Sequence, residues 1–469
     1  MISLLIFLNI YFVSFFDKPE KVTPALSPRA IEQRAKWHIP TDEMDYPVSA
    51  LYLSQVRELG GKVLHVSRWF NGATVELTDE QAAKVYGLDC VKQMEMTRDN
   101  SDPIYSPRKR RLPRATTVTQ ANNTDAQLEL YNLLPLHQAG FEGQDILMTV
   151  CDGAFYKANS LSCFRQEQNL GSFDFTDDDY TIYTDSEGDH GTECLSVISG
   201  IKNGFYGAAT KANYYLMRTE ENITESPKEM DNLVAALEKS DSLGVNVFSV
   251  SLGYAMFDND AWTLDKTTDL DGQTTRVSRA ATIAARKGML VCVAAGNEGD
   301  DEWGTISAPA DADSILTVGA VNTSGKIGSF SSYGPSSDGR IKPEVCAVGV
   351  SATLINPSGT TVTSNGTSFA TPLLAGLAAT LWSALPNENA MQIRERIIRS
   401  SNRYSNPDTQ NYQYGYGIPD AWEAYQMASP QGIESIQSLE VNCQKILRDG
   451  QVLILRNGQV YSAEGQRVQ

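Results

Sequence analysis

The sequence predicts an α/β protein, a parallel sheet with helices on both faces, preceded by a small α+β unit and followed by a short β tail. Short β-rich apolar runs, "ILMTVCDG", "VNVFSVSLG", "MLVCVAAGNEG" and "ILTVGAV", alternate with helical segments such as "SRAATIAARKG" and "NENAMQIRERIIRSS". Strands that are apolar on both faces and separated by helices belong to a parallel sheet covered on each side. The alternation holds from about residue 120 to 427, and the chain has a different texture on either side of that span.

From the N-terminus, "MISLLIFLNIYFVSFF" is an apolar run too short to span a bilayer comfortably. It reads as a secretory signal peptide over residues 1–17, although no Lys or Arg precedes it and no clear small-x-small site follows. An uncleaved anchor is the alternative. Residues 25–97 form the α+β unit: "SALYLSQVRELG" has helical apolar spacing, and "KVLHVSRWFNGATVEL" alternates as strands do. "TDEQAAKVYGL" opens with a capping box, Thr78 to Gln81, ahead of a short helix. Residues 98–119, with "RKRRLPR" at 108–114, are rich in Pro, Ser and Arg without periodicity and read as an exposed, cleavable linker. After a further linker, residues 439–469 carry Asp449-Gly450 and Asn457-Gly458, two hairpin turns that predict a β-meander.

At 469 residues the chain is long enough for a large core and more than one domain. A net charge of -18 argues against a nucleic-acid partner, because phosphate binding wants a basic surface. The seven cysteines are scattered, with no C-x-x-C spacing for zinc or redox work, and an odd count leaves at least one unpaired. Cys151 and Cys292 fall in strand-like runs and read as small buried apolar residues.

In open α/β sheets ligands collect at the carboxyl ends of strands. Asp152 ends "ILMTVCDG", and Asn297 follows "MLVCVAAG". Each is also a common turn residue. His190, in "GDHGTECLSVISG", stands where a polar turn enters a helix, and with only four histidines in the chain it is nearly the only candidate base. His137, in "NLLPLHQAG", reads as one position on an amphipathic surface helix. Ser368, in "SNGTSFATP", stands at the start of the apolar helix "LLAGLAATLW". The first N–H groups of a helix lack internal partners and lie at its positive end. A serine there offers an attacking oxygen and a backbone donor to the oxyanion it creates. A simple helix cap would predict none of the other three residues.

The order Asp, His, Asn, Ser, with "VCDGAF", "DHGTECLSVISG", "VFSVSLG", "VAAGNEG", "ISAPADADSILTVGAV", "FSSYGP", "IKPEVCAVG" and "SNGTSFATPLLAG", strongly resembles the subtilisin-like serine peptidases over residues 120–427. The resemblance implies a subtilisin-like sheet and an endopeptidase. In it Ser368 is the nucleophile, His190 the general base, Asp152 its orienting carboxylate, and Asn297 an oxyanion donor. Ser251, Leu252 and Gly253 resemble the edge where substrate pairs as an added strand, and Ala294, Ala295 and Gly296 a wall of the main specificity pocket. Cys151 should point away from the carboxylate and take no chemical role.

The N-terminal unit resembles a propeptide that assists folding and then plugs the active site as an intramolecular inhibitor, with the basic linker as the place of maturation. The C-terminal meander resembles the secretion tails of exported Bacteroidetes proteins, which implies a secreted or cell-surface enzyme served by outer-membrane secretion machinery. Its alternative is a small stabilising appendage. No cofactor is required by this chemistry. Structural calcium is common in the family, but the acidic insertion "DFTDDDYTIYTDSEGD" shows no regular ligand spacing and reads as a solvated loop. Two rival readings are a catalytically silent, peptide-binding surface protein and a serine-carboxyl peptidase of similar fold.

Overall fold

The computed structural model describes residues 8–100 and 124–428, apart from 178, 185–187 and 222–223, together with the backbone of strands between 443 and 468. Seven parallel strands form the main sheet, in the spatial order Val345–Val348, Leu316–Val321, Leu290–Ala294, Val247–Val250, Leu147–Asp152, Asn213–Arg218 and Asn169–Asp174. The chain first fills one side of Leu147–Asp152 and then crosses to the other. The strand ends at that reversal therefore border a crevice, the usual ligand position in such sheets.

Two apolar cores lie on the two faces, and the period-two alternation of each strand divides its side chains between them. Met148 and Val150 enter one core and Leu147 and Cys151 the other. Asp152 has the parity of Met148 and Val150. It therefore faces the layer that holds the helices Asp189–Ser199 and Thr367–Ala384. By the same count Ser251 follows Val247, and Ala294 and Gly296 follow Leu290 and Cys292, onto that face. Cys151 points into the opposite core, with its sulfur 3.4 Å from Thr219 Oγ1, as the alternation predicts. The helices Pro227–Leu243 and Arg276–Arg286 pack against each other on that opposite face.

The N-terminal unit is larger than residues 25–97. Its antiparallel sheet runs Lys62–Ser67, Gly72–Leu77, Asn9–Phe15, Val91–Arg98. The apolar run expected to be a signal peptide thus supplies an inner strand, hydrogen-bonded on both edges. The misreading has a physical cause. Tyr11, Val13 and Phe15 pack on the unit's own core, whereas Phe12 on the other face meets the main α/β domain, where the Arg276 guanidinium lies 3.8 Å from its ring centroid. A strand buried on both faces is apolar throughout and imitates the core of a leader. The helices Ala50–Glu58 and Asp79–Tyr86 form as expected, the second with the Thr78–Gln81 capping box in place.

This unit is fastened to the other domain by a further helix, Pro28–Lys36, and by the turn after Ser67. Arg34 is buried between Asp241 of the main α/β domain, at 2.8 Å, and Asp45 of its own unit, at 2.8 Å. Lys287 reaches across to Asp45 at 2.8 Å and Asp42 at 3.0 Å. Glu238 accepts from Ser67 Oγ at 2.5 Å and from the backbone N–H groups of Arg68 at 2.9 Å and Trp69 at 3.3 Å. The Trp69 side chain is buried in the main α/β domain's own core.

Residues 101–119 of the expected linker, including the basic run, lie outside the described residues, as do both predicted turns of the tail. The tail's strands Cys443–Arg448, Gln451–Arg456, Gln459–Ser462 and Arg467–Val468 pair in sequence order as an antiparallel meander. The six cysteines whose side chains are described are buried and unpaired. No helix among the described residues is long and apolar enough to cross a membrane.

Candidate active site

Asp152, His190 and Ser368 come from three separate elements, a strand end and two helix starts, and meet in the crevice with exposures of 1%, 7% and 2%. His190 Nδ1 lies 2.8 Å from Asp152 Oδ1 and 3.0 Å from Oδ2. An ionised carboxylate only accepts, so Nδ1 carries the proton and Nε2 of the neutral ring presents its lone pair. Asp152 Oδ1 also accepts from the Gly153 N–H at 2.8 Å, which fixes the carboxylate. The approach of the His190 helix depends on Gly191. A Cβ there would stand 2.2 Å from the Ala154 carbonyl and 2.9 Å from Asp152 Cβ, so any side chain would push helix and strand apart.

Ser368 is the second residue of the 18-residue helix Thr367–Ala384. Its hydroxyl donates to the Ser251 carbonyl at 3.4 Å. Among the described residues no hydrogen bond runs from it to His190, so the expected continuous line is formed on the Asp152–His190 side only. Unliganded sites commonly hold such bonds long or misaligned, and a turn about χ1 is all that re-aims a serine hydroxyl. The backbone around it is held firmly: Ser251 Oγ donates to the Ser368 carbonyl at 2.8 Å.

Cys194, which sequence reasoning passed over, fills the space between these groups. Its sulfur lies 3.9 Å from both ring nitrogens of His190, 3.6 Å from Ser251 Oγ and 3.2 Å from the Ser368 carbonyl. Its place one helical turn after His190 was the available signal. Burial would by itself lower the imidazole's proton affinity, but the Asp152 carboxylate and its hydrogen bond outweigh burial and raise it well above the ordinary 6.5. Cys194 contributes no charge near neutral pH, because burial pushes its thiol up to about 11.

Asn297 is oriented by Thr367. Its Oδ1 accepts from the Thr367 N–H at 2.8 Å and from the Thr367 hydroxyl at 3.1 Å, which assigns the oxygen to that side and the NH₂ group to the other. Gly296, at φ +115°, makes the turn that brings Asn297 there. Of the expected pocket residues, Ser251, Gly253, Ala294 and Gly296 border the site. Leu252 is half-buried against the far core, and the Ala295 side chain is inside that core, so Ala295 offers the site only its backbone. His137 is more enclosed than a surface helix position, with its Nε2 3.1 Å from the Ala208 carbonyl.

The acidic insertion is partly structural: Asp174 pairs with Arg218 at 3.1 Å and accepts from Thr176 N at 2.8 Å. Glu220, Glu225 and Glu229 lie closer together, with ligand oxygens within 4.8 Å of one another. Burial and the neighbouring Glu225 push Glu220 up to about 8, and burial with Glu220 raises Glu229 well above the ordinary carboxylate value.

Residues 119–417 match the subtilase family of S8 peptidases. The chain belongs to the subtilase family. Residues 10–112 match the S8 propeptide domain of Bacteroidota, a span that takes in all but the first residue of the Asn9–Phe15 strand. Among its relatives, this subtilase is 27% identical to Subtilisin NAT of Bacillus subtilis subsp. natto over 377 residues, 79% of this chain and 85% of that protein. It is 30% identical to Subtilisin DY of Bacillus licheniformis over 238 residues, 50% of this chain and 76% of that protein. Solved structures share the fold: MycP1 from the ESX-1 type VII secretion system superposes with a TM-score of 0.55 at 21% identity, covering 68% of this chain and 91% of that one. MycP1 from Mycobacterium smegmatis gives 0.53 at 20% identity, covering 68% and 90%. The subtilase is therefore a serine-type endopeptidase with a propeptide domain, and the serine-carboxyl reading falls away.

Proposed function

We propose that this subtilase hydrolyses peptide bonds through an acyl-enzyme formed on Ser368, and that its N-terminal unit keeps it latent as a zymogen until cleavage in the linker. The observation that carries the reading is the Asp152–His190 hydrogen bond at 2.8 Å in a buried crevice that also holds the hydroxyl of Ser368 at a helix start. His190 Nε2 takes the Ser368 proton as the oxygen attacks the carbonyl, then returns it to the leaving amine, and Asp152 stabilises the imidazolium between the two steps. The Ser368 N–H and the Asn297 NH₂ group hold the oxyanion. Losing one such donor lowers kcat by about 10²–10³-fold, a magnitude that comes from a subtilisin and applies here by family.

Charged side chains, the Trp69 anchor and an inhibitor-like fold support latency. The linker is the natural maturation site, because it is basic and joins two units already docked together. A C-terminal meander appended to a Bacteroidota-type zymogen supports secretion to the surface or medium through outer-membrane machinery. The reaction needs no cofactor, since nucleophile, base and oxyanion donors are all supplied by the chain.

A fluorophosphonate probe tests the site directly. We expect a single adduct, mapped to Ser368, in matured protein. Its rate should rise with pH through a midpoint above 6.5, because only the neutral imidazole accepts the serine proton and the folded site favours the charged form. Matured protein that takes no label would instead favour a silent, peptide-binding scaffold.

A further inference from the structure

Pro372 lies inside the helix Thr367–Ala384, four residues after Ser368. In an α-helix each carbonyl accepts from the N–H four residues later, and a proline has none to give. The carbonyl that loses its ordinary donor here is that of Ser368, a residue 2% exposed. A buried backbone oxygen is seldom left unpaired, because removing it from water without a bond is costly.

Two side chains from remote elements supply what the helix does not. Ser251, just past the strand Val247–Val250, donates its hydroxyl to the Ser368 carbonyl at 2.8 Å. Cys194, in the helix Asp189–Ser199, donates its thiol to the same oxygen at 3.2 Å. Both are buried, and the hydroxyl is the stronger of the two because a thiol is a weak donor. What this carbonyl fixes is the peptide between Ser368 and Phe369. Turning that peptide would rotate the backbone at Ser368 and carry with it Phe369, whose ring centroid lies 5.5 Å from that of His190. On the other side of Ser368 the turn is already held, since the Thr367 N–H donates to Asn297 Oδ1 at 2.8 Å.

We propose that Ser251 is a positioning residue for the nucleophile: its hydroxyl replaces the donor that Pro372 denies the Ser368 carbonyl and so holds the Ser368 turn in place against His190, with Cys194 as a weaker second donor. The inference rests on the reading of the site given above and adds a residue to it. Strand pairing of substrate at residues 251–253 runs through the backbone, so the work of this hydroxyl is separate from substrate binding. Its loss therefore falls on kcat and leaves KM nearly unchanged.

The test is a double-mutant cycle in matured enzyme: Ser251→Ala, Pro372→Ala and the two together, with active sites counted by fluorophosphonate titration and turnover read on one peptide substrate. Ser251→Ala should lower kcat by about 10–100-fold with KM within about threefold of native, the effect of a nucleophile displaced by up to about 1 Å. Pro372→Ala returns an N–H to position 372. In that background Ser251→Ala should lower kcat by about threefold or less, because the helix again supplies the donor. An undiminished kcat in Ser251→Ala overturns the proposal, as does an equal loss in both backgrounds. A loss that falls on KM instead makes Ser251 a binding residue and overturns it too. If Ser251→Ala does not fold, Ser251→Cys, a weaker donor of similar size, is read in the same cycle. Absence of fluorophosphonate labelling at Ser368 in native enzyme would refute the reading of the site itself.

Discussion

Ser368→Ala lowers kcat by about 10⁶-fold and leaves the zymogen uncut when it is expressed alone. The first magnitude comes from a subtilisin and is carried over by family; removing the serine or the histidine of a cooperating triad costs about as much as removing all three members. What remains is the catalysis supplied by oxyanion donors and binding. The second expectation follows from the linker joining the propeptide unit to the domain that cuts it. Mass spectrometry of the purified chain reads both ends of the argument, since an intact N-terminal unit should accompany lost activity. Normal processing in this variant would show that another protease matures the enzyme, and residual activity near the native level would end the nucleophile assignment. The substitution removes one oxygen at a buried position, so folding should be preserved, and the variant's thermal unfolding checks that.

Arg34→Ala weakens docking of the propeptide by about 3–5 kcal/mol, or about 10²–10⁴-fold in the equilibrium, because it strands buried carboxylates that had shared one guanidinium. Arg34 and its partners are almost fully enclosed, with side-chain exposures of 6% for Arg34 and 3% for Asp241, so solvent screens the pair little. Lys287 and Arg68 still reach Asp45 and Asp241 and keep the loss from being larger. The clean comparison is thermal unfolding of the Ser368→Ala chain with and without Arg34→Ala, since neither version can cut itself. In the active chain, Arg34→Ala should speed release of the propeptide while the matured enzyme keeps its specific activity, because residue 34 leaves with the propeptide. An unchanged unfolding profile would mean that the ion network is not what fastens the two units, leaving Trp69 and the apolar face as the anchor.

The candidate site was legible because it is built from local rules. Strand parity alone sends Asp152 and Ser251 to one face and Cys151 to the other, and helix starts place His190 and Ser368 with their backbone donors free. Ala295 was not so legible: the motif included it as a pocket residue, but the strand's alternation puts its side chain in the far core. The Asn9–Phe15 strand shows where local reading fails. A mostly apolar run looks alike whether it is buried between a sheet's own helices and a neighbouring domain or held in a lipid-facing leader, and only the partner surfaces tell the two apart.

The sequence by itself determined the candidate reacting groups, the elements that carry them and their family, because residue type and period are local properties of the chain. The tertiary structure alone decided which remote groups support them: Thr367 orienting the Asn297 amide, Cys194 reaching the Ser368 carbonyl, and Arg34 joining two domains. Each of those is a contact between residues distant in sequence, set by how two faces of one sheet and one propeptide pack together, and no short stretch of the chain encodes such a distance.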